Sequence, residues 1–169
     1  SCRKCKSCES GDYHLCKVDF QGMGMSINGG MAEQILVPEE CLISLDKRVS
    51  IQDGCLVEPL AVALHGFIRT NTKSDHKIAV IGGGTIGMCA IAAAKYIGCE
   101  VDVYAKYDHQ KEAGSVLGAG DLDGLYDRVV DCVGTNETLN LAAESAKPGS
   151  WIVLLGIPLE GINLPGLRV

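Results

Sequence analysis

The sequence predicts an α/β fold, in which a doubly wound parallel sheet follows a smaller segment rich in cysteine and turn residues. From residue 77 onward, short apolar runs typical of buried strands alternate with segments of helical periodicity, and this order is typical of a parallel sheet. Residues 1–72 are more polar, and Gly-Gly and Asp-Gly turns interrupt their short strand-like runs. We therefore predict a first domain at residues 1–72 and a second domain at residues 73–169.

The elements of the second domain follow from apolar runs and glycine stops. Gly98 ends an Ala-rich helical segment, and a β-branched run after Asp127 is typical of a strand buried on both faces. Between Gly120 and Tyr126 the chain is too short for a further strand and helix, so we expect the second strand to lie at an edge of the sheet. The predicted strands are 77–81, 100–105, 128–133 and 151–155, the last two of them buried, and the predicted helices are 85–97, 107–117 and 137–146.

The first domain is predicted to contain short strands and one helix. Residues 32–37, which precede Pro38, and residues 41–45 are strand-like. Apolar residues recur at helical spacing in residues 55–69. Pro59 would lie in the first turn of that helix, where its missing N–H group costs little.

Composition and charge exclude several classes of protein. The 169 residues are 47 % apolar and 21 % charged, which is typical of a soluble globular protein. The formal net charge of −6 argues against nucleic acid as a partner, because an acidic surface repels a phosphate backbone. We expect no membrane partner either, since no apolar run approaches the roughly 20 residues that span a bilayer, and no secretion signal is recognisable.

The nine cysteines are divided between a cluster and dispersed positions. Four lie within the first 16 residues, and the other five are scattered among apolar neighbours. An odd number of cysteines with distant partners is typical of a reducing compartment, so we expect a cytoplasmic protein. We expect the dispersed cysteines to be small buried hydrophobic residues: Cys41, Cys55, Cys89, Cys99 and Cys132.

The clustered cysteines, Cys2, Cys5, Cys8 and Cys16, form the motif C-x2-C-x2-C-x7-C. Four thiolates can close a tetrahedron around zinc and leave no open position, which is typical of a structural site. An iron–sulfur cluster is the alternative metal site, but its bacterial motif continues with a gap of about three residues and a proline. Unliganded thiols are the third possibility.

A glycine-rich loop follows the first predicted strand. It contains G-x-G-x-x-G at Gly82, Gly84 and Gly87, and a helix that includes Thr85 and Ile86 opens within it, a context typical of a dinucleotide site. Gly82 would permit a tight turn, Gly84 the close approach of a pyrophosphate, and Gly87 the packing of helix against strand. The helix N-terminus would stabilise the anion. The alternative is a glycine-rich turn that binds no ligand.

The end of the second predicted strand bears on the choice between NAD and NADP. An NAD site usually has an acidic residue there, but Asp102 lies in the middle of the strand and Lys106 occupies the expected position. A cation suits the 2′-phosphate of NADP, and His109 and Lys111 are nearby in sequence. We therefore expect NADP to be preferred over NAD. The alternative is that Lys106 is an ordinary surface lysine.

Taken together, these motifs resemble the zinc-dependent medium-chain alcohol and polyol dehydrogenases, the family that includes sorbitol, threonine and glucose dehydrogenases. The resemblance implies a Rossmann domain preceded by part of a mainly β, GroES-like catalytic domain, whose structural-zinc lobe would be residues 1–16. It also implies an oxidoreductase that transfers a hydride between an alcohol or polyol and NAD(P). The segments that carry the resemblance are 2–16, 29–33, 58–61, 82–87, 131–134 and 154–156.

The resemblance implies further site residues. Glu58, in a Glu-Pro-Leu motif, would ligate a catalytic zinc ion or hold its water, and the alternative is a glutamate favoured at a helix start by the macrodipole. His65, on the same predicted helix, is not expected to be a ligand. The residues that would line the nicotinamide are Cys132, Val133, Leu155, Gly156 and Ile157.

The family's catalytic cysteine and Gly-His-Glu segment come before the zinc lobe. They would therefore precede Ser1, and we expect the chain to be a fragment that does not turn over alcohols by itself. The resemblance also implies a small-molecule alcohol or polyol substrate and a homo-oligomeric full-length protein. The alternative function is a non-catalytic coenzyme-binding module whose zinc is purely structural.

Overall fold

The computed structural model describes residues 1–159 and 161–163, so residues 160 and 164–169 of the predicted second domain lie outside the described residues. The chain forms two compact units, Ser1–Asp46 and Lys47–Val169.

The first unit consists of turns and very short helices. Helix α1 spans Lys6–Glu9, and 3-10 turns span Tyr13–Leu15 and Glu39–Cys41. No strand forms among the described residues of this unit, where an isolated bridge joins Met23 to Ile27. The strands predicted at 32–37 and 41–45 are therefore wrong. A strand is stable only beside hydrogen-bonded neighbours, and these runs have none in the described part of the unit.

The second unit alternates helices with parallel strands. A 3-10 turn at Asp53–Leu56 leads directly into its first helix. The helices are α2 (Val57–Arg69), α3 (Thr85–Ile97), α4 (Asp108–Val116) and α5 (Asn136–Ser145), and the strands are β1 (Lys77–Ile81), β2 (Glu100–Tyr104), β3 (Gly120–Asp121), β4 (Tyr126–Asp131) and β5 (Ala146–Leu154). All neighbouring strands are parallel and their order is β3-β2-β1-β4-β5. The predicted doubly wound parallel sheet is confirmed.

Apolar clusters lie on both faces of this sheet. One cluster joins β1, β2 and β4 to α2 and α3, and its buried members include Phe67 and Ile91. The other joins Ala79 and Ile81 of β1 to Tyr126 of β4 and to α5. Because β1 is buried on both faces, its sequence is almost continuously apolar.

Helix α2 is part of the second unit. Its buried residue Phe67 belongs to the cluster that contains α3, and a Cβ on Gly66 would lie 2.8 Å from Cγ1 of Val153 in β5. Arg128 of β4 donates hydrogen bonds of 2.9 and 3.2 Å to the carbonyl oxygen of Thr70, which caps the C-terminus of α2. The first compact unit is thus shorter than the predicted first domain. The domain boundary between residues 72 and 73 stays a prediction.

The connection between β3 and β4 differs from the expectation. Gly120–Asp121 forms a short third strand, which pairs with Asp102 and Val103 of β2. The predicted exposure of β2 as an edge strand is therefore wrong where β3 pairs with it. Residues 122–125 then lead directly to β4 with no helix between.

Strand β5 is longer and more exposed than predicted. It begins at Ala146, so Pro148 and Gly149 lie inside the strand rather than in a turn before it. It lies at the edge of the described sheet beside β4, and Trp151 is 56 % exposed. The prediction of a strand buried on both faces is wrong here, because β5 lies at an edge of the sheet and has a strand partner on one side only. An edge strand also tolerates a proline, since it need not donate every backbone hydrogen bond.

The dispersed cysteines divide by local structure. Cys89 and Cys99 are buried and Cys132 is partly buried, in agreement with their interpretation as small hydrophobic residues. Cys41 and Cys55 are exposed, so the same interpretation is wrong for them. Both lie in single 3-10 turns, which are too short to present a buried face.

Candidate coenzyme site and cysteine cluster

The four clustered cysteines converge in the first unit. Cys5 precedes α1, Cys8 lies within it, and Cys16 follows the turn Tyr13–Leu15. The sulfur atoms of these three residues and Cys2 all lie within 4.8 Å of one another, and Sγ of Cys5 is 3.5 Å from that of Cys8 and 3.9 Å from that of Cys16. A tetrahedron with Zn–S bonds of about 2.3 Å has S–S edges of about 3.8 Å. The donor set therefore fits a closed zinc site with four thiolates.

Backbone N–H groups favour a thiolate at Cys16. Its Sγ accepts hydrogen bonds from the N–H groups of Cys2 at 3.4 Å and Asp19 at 3.5 Å, and these bonds lower the pKa of the Cys16 thiol to about 6. Desolvation and the neighbouring thiols raise the pKa of Cys8 to about 11. One thiolate is thus favoured at neutral pH, and a bound cation would favour deprotonation of the others.

The glycine loop connects β1 to α3 through a tight turn. Gly82 has φ +105°, which side chains rarely adopt, and its N–H donates to the carbonyl oxygen of Tyr104 at 2.8 Å. A side chain on Gly87 would overlap the carbonyl oxygen of Gly82. The helix can therefore approach the turn only because position 87 has no side chain.

The same loop leaves space beside the helix N-terminus. No atom lies within 4 Å of the position that a Cβ of Gly84 would occupy, and both Gly84 and Thr85 are exposed, whereas Ile86 is half-buried. In the described part of the chain, no side chain caps the N-terminus of α3. Uncapped N–H groups at a helix N-terminus favour an anion, so the loop fits a dinucleotide pyrophosphate.

The segment after β4 meets the loop at the C-terminal edge of the sheet. A Cβ on Gly82 would lie 2.6 Å from Cγ2 of Val133 and 3.5 Å from Cβ of Cys132. A Cβ on Gly156 would overlap the backbone of Val133. The structure thus brings together the loop and three of the residues predicted to line the nicotinamide.

The other two predicted residues follow β5. Leu155 is partly buried and its N–H donates to the carbonyl oxygen of Asp131 at 2.8 Å, whereas Ile157 is exposed. Burial raises the pKa of the Cys132 thiol to about 12. Cys132 therefore presents a neutral thiol to this edge at neutral pH, which suits a packing role.

A cavity of about 530 Å³ borders the loop. Gly83 and Gly84 of the loop, apolar residues of α2 and α3, and His109 and Gln110 of α4 form its walls. A Cβ on Gly83 would lie 2.6 Å from Cβ of Gln110 and 2.8 Å from that of Ala105, so α4 packs directly against the loop. A cavity of this size is in the range of small-ligand sites.

Lys106 follows β2 and is exposed. Its ammonium group lies 5.6 Å from the centroid of the Tyr107 ring, and it forms no ion pair with a described residue. Asp102 lies in the middle of β2, where its carboxylate accepts a hydrogen bond of 2.9 Å from Tyr126 and pairs with Lys77 at 3.1 Å. Asp102 is therefore engaged within the sheet, and a role of Lys106 toward coenzyme stays a prediction.

Glu58 lies in the first turn of α2 and is exposed. Among the described residues, the cysteine cluster is the only group of three or more side chains that could hold a metal, and Glu58 is not part of it. His65 is exposed on the same helix. A role of Glu58 toward catalytic zinc stays a prediction.

Sequence motifs do not reveal a polar network at the start of β1. The ammonium group of Lys77 lies 3.1 Å from Asp102 and 3.2 Å from Glu100, and the Tyr126 hydroxyl accepts a hydrogen bond of 2.6 Å from the N–H of Asp123. Burial and the bond to Asp102 raise the pKa of Tyr126 to about 12. The signal that could have revealed the network is the alternation of polar and apolar residues in β2.

Comparison with known protein families gives one match within the chain. Residues 1–47, which include the cysteine cluster, match the family described as the alcohol dehydrogenase GroES-like domain.

Individual relatives match over longer ranges. The chain is 29 % identical to L-idonate 5-dehydrogenase from Vitis vinifera over 98 % of this chain and 51 % of that protein. It is 36 % identical to 2-dehydro-3-deoxy-L-galactonate 5-dehydrogenase from Pseudoalteromonas atlantica over 73 % of this chain and 36 % of that protein. A crystal structure described as that of a zinc-binding dehydrogenase from Sinorhizobium meliloti bound to NADP superposes with a TM-score of 0.89 and 26 % identity, over 99 % of this chain and 55 % of the other.

The chain spans about half the length, or less, of these relatives. Within the described residues, no helix is both long and apolar enough to cross a membrane.

Proposed function

Because the chain belongs to the family of zinc-dependent medium-chain alcohol and polyol dehydrogenases, we propose that it contributes the coenzyme site of such an oxidoreductase. The reaction would transfer a hydride between an alcohol or polyol CH–OH group and NAD(P). The observation that carries this proposal is the open space at Gly84 in a loop that is otherwise tightly packed at Gly82 and Gly87.

The residues of the loop would bind and orient the coenzyme. The N–H groups at the start of α3 would bind the pyrophosphate beside Gly84 and Thr85. The nicotinamide would lie against residues at the ends of β4 and β5, namely Cys132, Val133 and Gly156. A bound nicotinamide coenzyme supplies the hydride chemistry, and the protein supplies its position.

The two proposed zinc roles rest on different support. The Cys2, Cys5, Cys8 and Cys16 sulfur atoms are arranged for a closed site, so a zinc ion held there would order the first unit and leave no position for substrate. Catalytic zinc sites use typically three protein ligands. Glu58 would contribute one carboxylate to such a site, and the described residues do not form a complete one.

Calorimetric titration of the chain with NADP and with NAD tests the coenzyme site. We expect both coenzymes to bind, and failure of both to bind would contradict the proposal. Zinc-dependent oxidation of polyols, measured on the complete protein with and without Glu58→Gln, tests the reaction. We expect Glu58→Gln to lower kcat while coenzyme affinity is kept.

A non-catalytic coenzyme-binding module is the second candidate function. Its support is that the cysteine cluster is arranged as a closed four-thiolate site, which has no position for a substrate. This candidate would be supported if the complete protein binds coenzyme normally but turns over polyols slowly, and if Glu58→Gln leaves that low turnover unchanged.

NADP is the coenzyme that we propose to be preferred. Ala105, which packs against Gly83, is the residue where the loop meets the end of β2, so no carboxylate lies at that position. Lys106 follows it and forms no ion pair with the described residues. We expect Lys106→Asp to lower the affinity for NADP and to reverse the preference, as measured by titration with both coenzymes. Lys111→Gln is the control, since Lys111 pairs with Asp108 at 3.4 Å. An unchanged ratio of affinities in Lys106→Asp would show that Lys106 is only a surface residue.

The remaining proposals concern substrate and setting. We propose a small-molecule alcohol or polyol as substrate, a homo-oligomeric full-length protein and a cytoplasmic location. All nine cysteines are free, which supports a reducing compartment. The net charge of −6 argues against nucleic acid as a partner.

A further inference from the structure

A buried carboxylate at the C-terminal edge of the sheet has no part in the function proposed above. Asp131 is the last residue of β4 and is fully buried. Its Oδ1 accepts hydrogen bonds from the N–H groups of Val133 at 2.9 Å and Gly134 at 3.2 Å, and its Oδ2 also accepts from Gly134 at 3.2 Å. The hydroxyl group of Thr138 in α5 donates to Oδ2 at 3.3 Å. Both oxygens thus act as acceptors, as those of an ionised carboxylate do.

The backbone of the same residue holds a second segment. The carbonyl oxygen of Asp131 accepts hydrogen bonds from the N–H groups of Leu155 at 2.8 Å and Gly156 at 2.9 Å, which directly follow β5. The side chain of Asp131 therefore fixes the segment after β4, and its carbonyl oxygen fixes the segment after β5. These are the two segments against which we propose that the nicotinamide lies.

The two segments contact each other through their backbones. A Cβ on Gly156 would overlap the backbone of Val133, and a Cβ on Gly134 would lie 3.0 Å from the carbonyl carbon of Ile157. Gly134 also has φ +84°, which side chains rarely adopt. Because no side chain separates the segments, a shift of one displaces the other. The hydrogen bonds of Asp131 therefore set the position of both.

The partners of this carboxylate differ from those of the other buried acid in the described sheet. Asp102 pairs with Lys77 and bonds to Tyr126 in the interior of the sheet. Asp131 forms no ion pair with a described residue, although a buried charge without compensation is costly. The loop N–H groups and the first turn of α5, which includes Thr138, compensate the charge instead. The interactions of Asp131 are thus directed to the candidate site.

We propose that Asp131 is a positioning residue for the nicotinamide. It acts through the backbones of residues 133–134 and 155–156, and it holds the surface for the ring in place before coenzyme binds. This inference rests on the proposed coenzyme site and deepens it, because that proposal names the residues at this surface but not the group that arranges them. A surface that is ordered before binding needs no ordering when the ligand arrives, so Asp131 should strengthen the binding of the nicotinamide end.

A comparison of NADH with ADP-ribose separates the two ends of the coenzyme. ADP-ribose has the adenosine, the pyrophosphate and the second ribose but no nicotinamide, and neither ligand carries a 2′-phosphate. Calorimetric titration of the full chain with each ligand gives the two affinities. In the wild type we expect NADH to bind more tightly than ADP-ribose. The variants are Asp131→Asn, which keeps the shape and one acceptor oxygen, and Asp131→Ala, which keeps neither.

The expected effect is confined to NADH. Asp131→Ala should weaken NADH binding about tenfold and Asp131→Asn about threefold, which is the range for the loss of one hydrogen bond. The affinity for ADP-ribose should stay unchanged, since the pyrophosphate site at the start of α3 does not involve Asp131. Asp102→Asn is the matched control, because it should lower the free energy of unfolding and leave the ratio of the two affinities as in wild type.

Urea unfolding shows whether each variant is folded under the conditions of the titration. If Asp131→Ala does not fold, Asp131→Asn and Thr138→Val provide the test. Thr138→Val removes one donor to the carboxylate and should weaken NADH binding about twofold, the smaller effect of a neutral hydrogen bond, with ADP-ribose affinity unchanged.

The outcomes separate this inference from the function on which it rests. If wild type binds neither NADH nor ADP-ribose, the proposed coenzyme site is wrong and this inference fails with it. If wild type binds both with equal affinity, the coenzyme site stands, but the two segments do not hold the nicotinamide and this inference is wrong. Equal weakening of both ligands in the Asp131 variants, or no weakening of either, would also overturn it, because Asp131 would then support the fold alone.

Discussion

At the scale of single residues, two glycines of one loop have opposite requirements. Gly87 has no space for a side chain, since a Cβ there would overlap the carbonyl oxygen of Gly82. Gly84 has open space and a φ of −79°, which alanine adopts without strain. The first glycine is required by the fold, and we attribute the second to the coenzyme.

This difference gives a prediction for two matched variants. Gly87→Ala should lower the free energy of unfolding by about 1–3 kcal/mol, the usual cost of overpacking. Gly84→Ala should change it by no more than about 1 kcal/mol and should weaken NADP binding about tenfold, the loss of about 1.4 kcal/mol of contact. Urea unfolding and coenzyme titration of both variants provide the measurement. Normal NADP affinity in Gly84→Ala would contradict the assignment of that space to the pyrophosphate.

At the scale of elements, β2 departs from the pattern of a strand buried on both faces. Val101 and Val103 are buried in the cluster that contains α3, whereas the alternate residue Asp102 joins Tyr126 and Lys77 on the other face. No helix lies between β3 and β4 in the described chain to cover that face with apolar side chains. The polar network takes its place.

Removal of one hydroxyl group tests the contribution of this network. Tyr126→Phe should lower the free energy of unfolding by about 1–3 kcal/mol, because the buried Asp102 carboxylate loses a hydrogen bond and the N–H of Asp123 loses its bond to the hydroxyl oxygen. Tyr96→Phe, at a residue that is 88 % exposed, is the control and should have little effect. Equal stabilities of the two variants in urea unfolding would show that the network contributes nothing.

The same hydroxyl group predicts a change of stability at alkaline pH. The pKa of Tyr126 is raised from its ordinary value of about 10 to about 12 in the folded protein. Its contribution is therefore fully present below about pH 10 and is lost as the pH rises toward 12. Between about pH 10 and 12, the free energy of unfolding should therefore fall more steeply with pH for wild type than for Tyr126→Phe, as measured by urea unfolding.

Elements with several hydrogen-bonded neighbours could be predicted from the sequence, and those with few could not. The bounds of β1 and of helix α3 follow directly from an apolar run and a glycine stop, since burial on both sides leaves a strong pattern. The apolar run after Asp127 locates β4, although that strand begins and ends two residues earlier than the predicted 128–133. The exposure of Trp151 could not be predicted, because a local apolar run does not reveal whether a strand lies at an edge. The runs at 32–37 and 41–45 have the pattern of strands but lack partners in the described unit.

The candidate site divides in the same way. The spacing of the cysteines and of the loop glycines could be predicted because each depends on a short local motif. The stack of His109 on Tyr107 and the cavity beside it could not, because they depend on how α4 packs against the loop. Asp102 lies in the middle of β2, as the sequence predicted, but its bond to Tyr126 could not be predicted from a local pattern.

At the scale of the whole molecule, the two units differ in what holds them together. The second unit has apolar clusters on both sheet faces. In the described part of the first unit, Cys16 is the one buried hydrophobic residue, and Tyr13, Val18 and Phe20 are more than half exposed. A unit with so small a core requires another source of stability, and a metal bound by four thiolates contributes folding free energy directly.

Metal content and protease sensitivity provide the test. We expect about one zinc per chain, and Cys8→Ser should lose it and expose the first unit to protease, while the sheet unfolds as in wild type. Cys41→Ser is the control, since Cys41 is an exposed cysteine outside the cluster. Undiminished zinc in Cys8→Ser would contradict the assignment, and visible absorbance without zinc would indicate an iron–sulfur cluster instead.

The short connection between β3 and β4 limits the length of β3. The strand pairings place Asp121 of β3 at the same level of the sheet as Val80 of β1, which pairs with Val130 of β4. Tyr126 comes four residues before Val130, so it lies lower in the sheet. In a flat sheet, with β2 and β1 between β3 and β4, the connection would cross about 14 Å of sheet and descend about 13 Å, a direct distance of about 19 Å. Five Cα–Cα steps of fully extended chain reach about 18 Å at most, so the twist of the sheet must bring the ends of the two strands closer together than this. Each further residue paired in β3 would shorten the connection and lengthen its path, so a connection of this length limits β3 to a short strand.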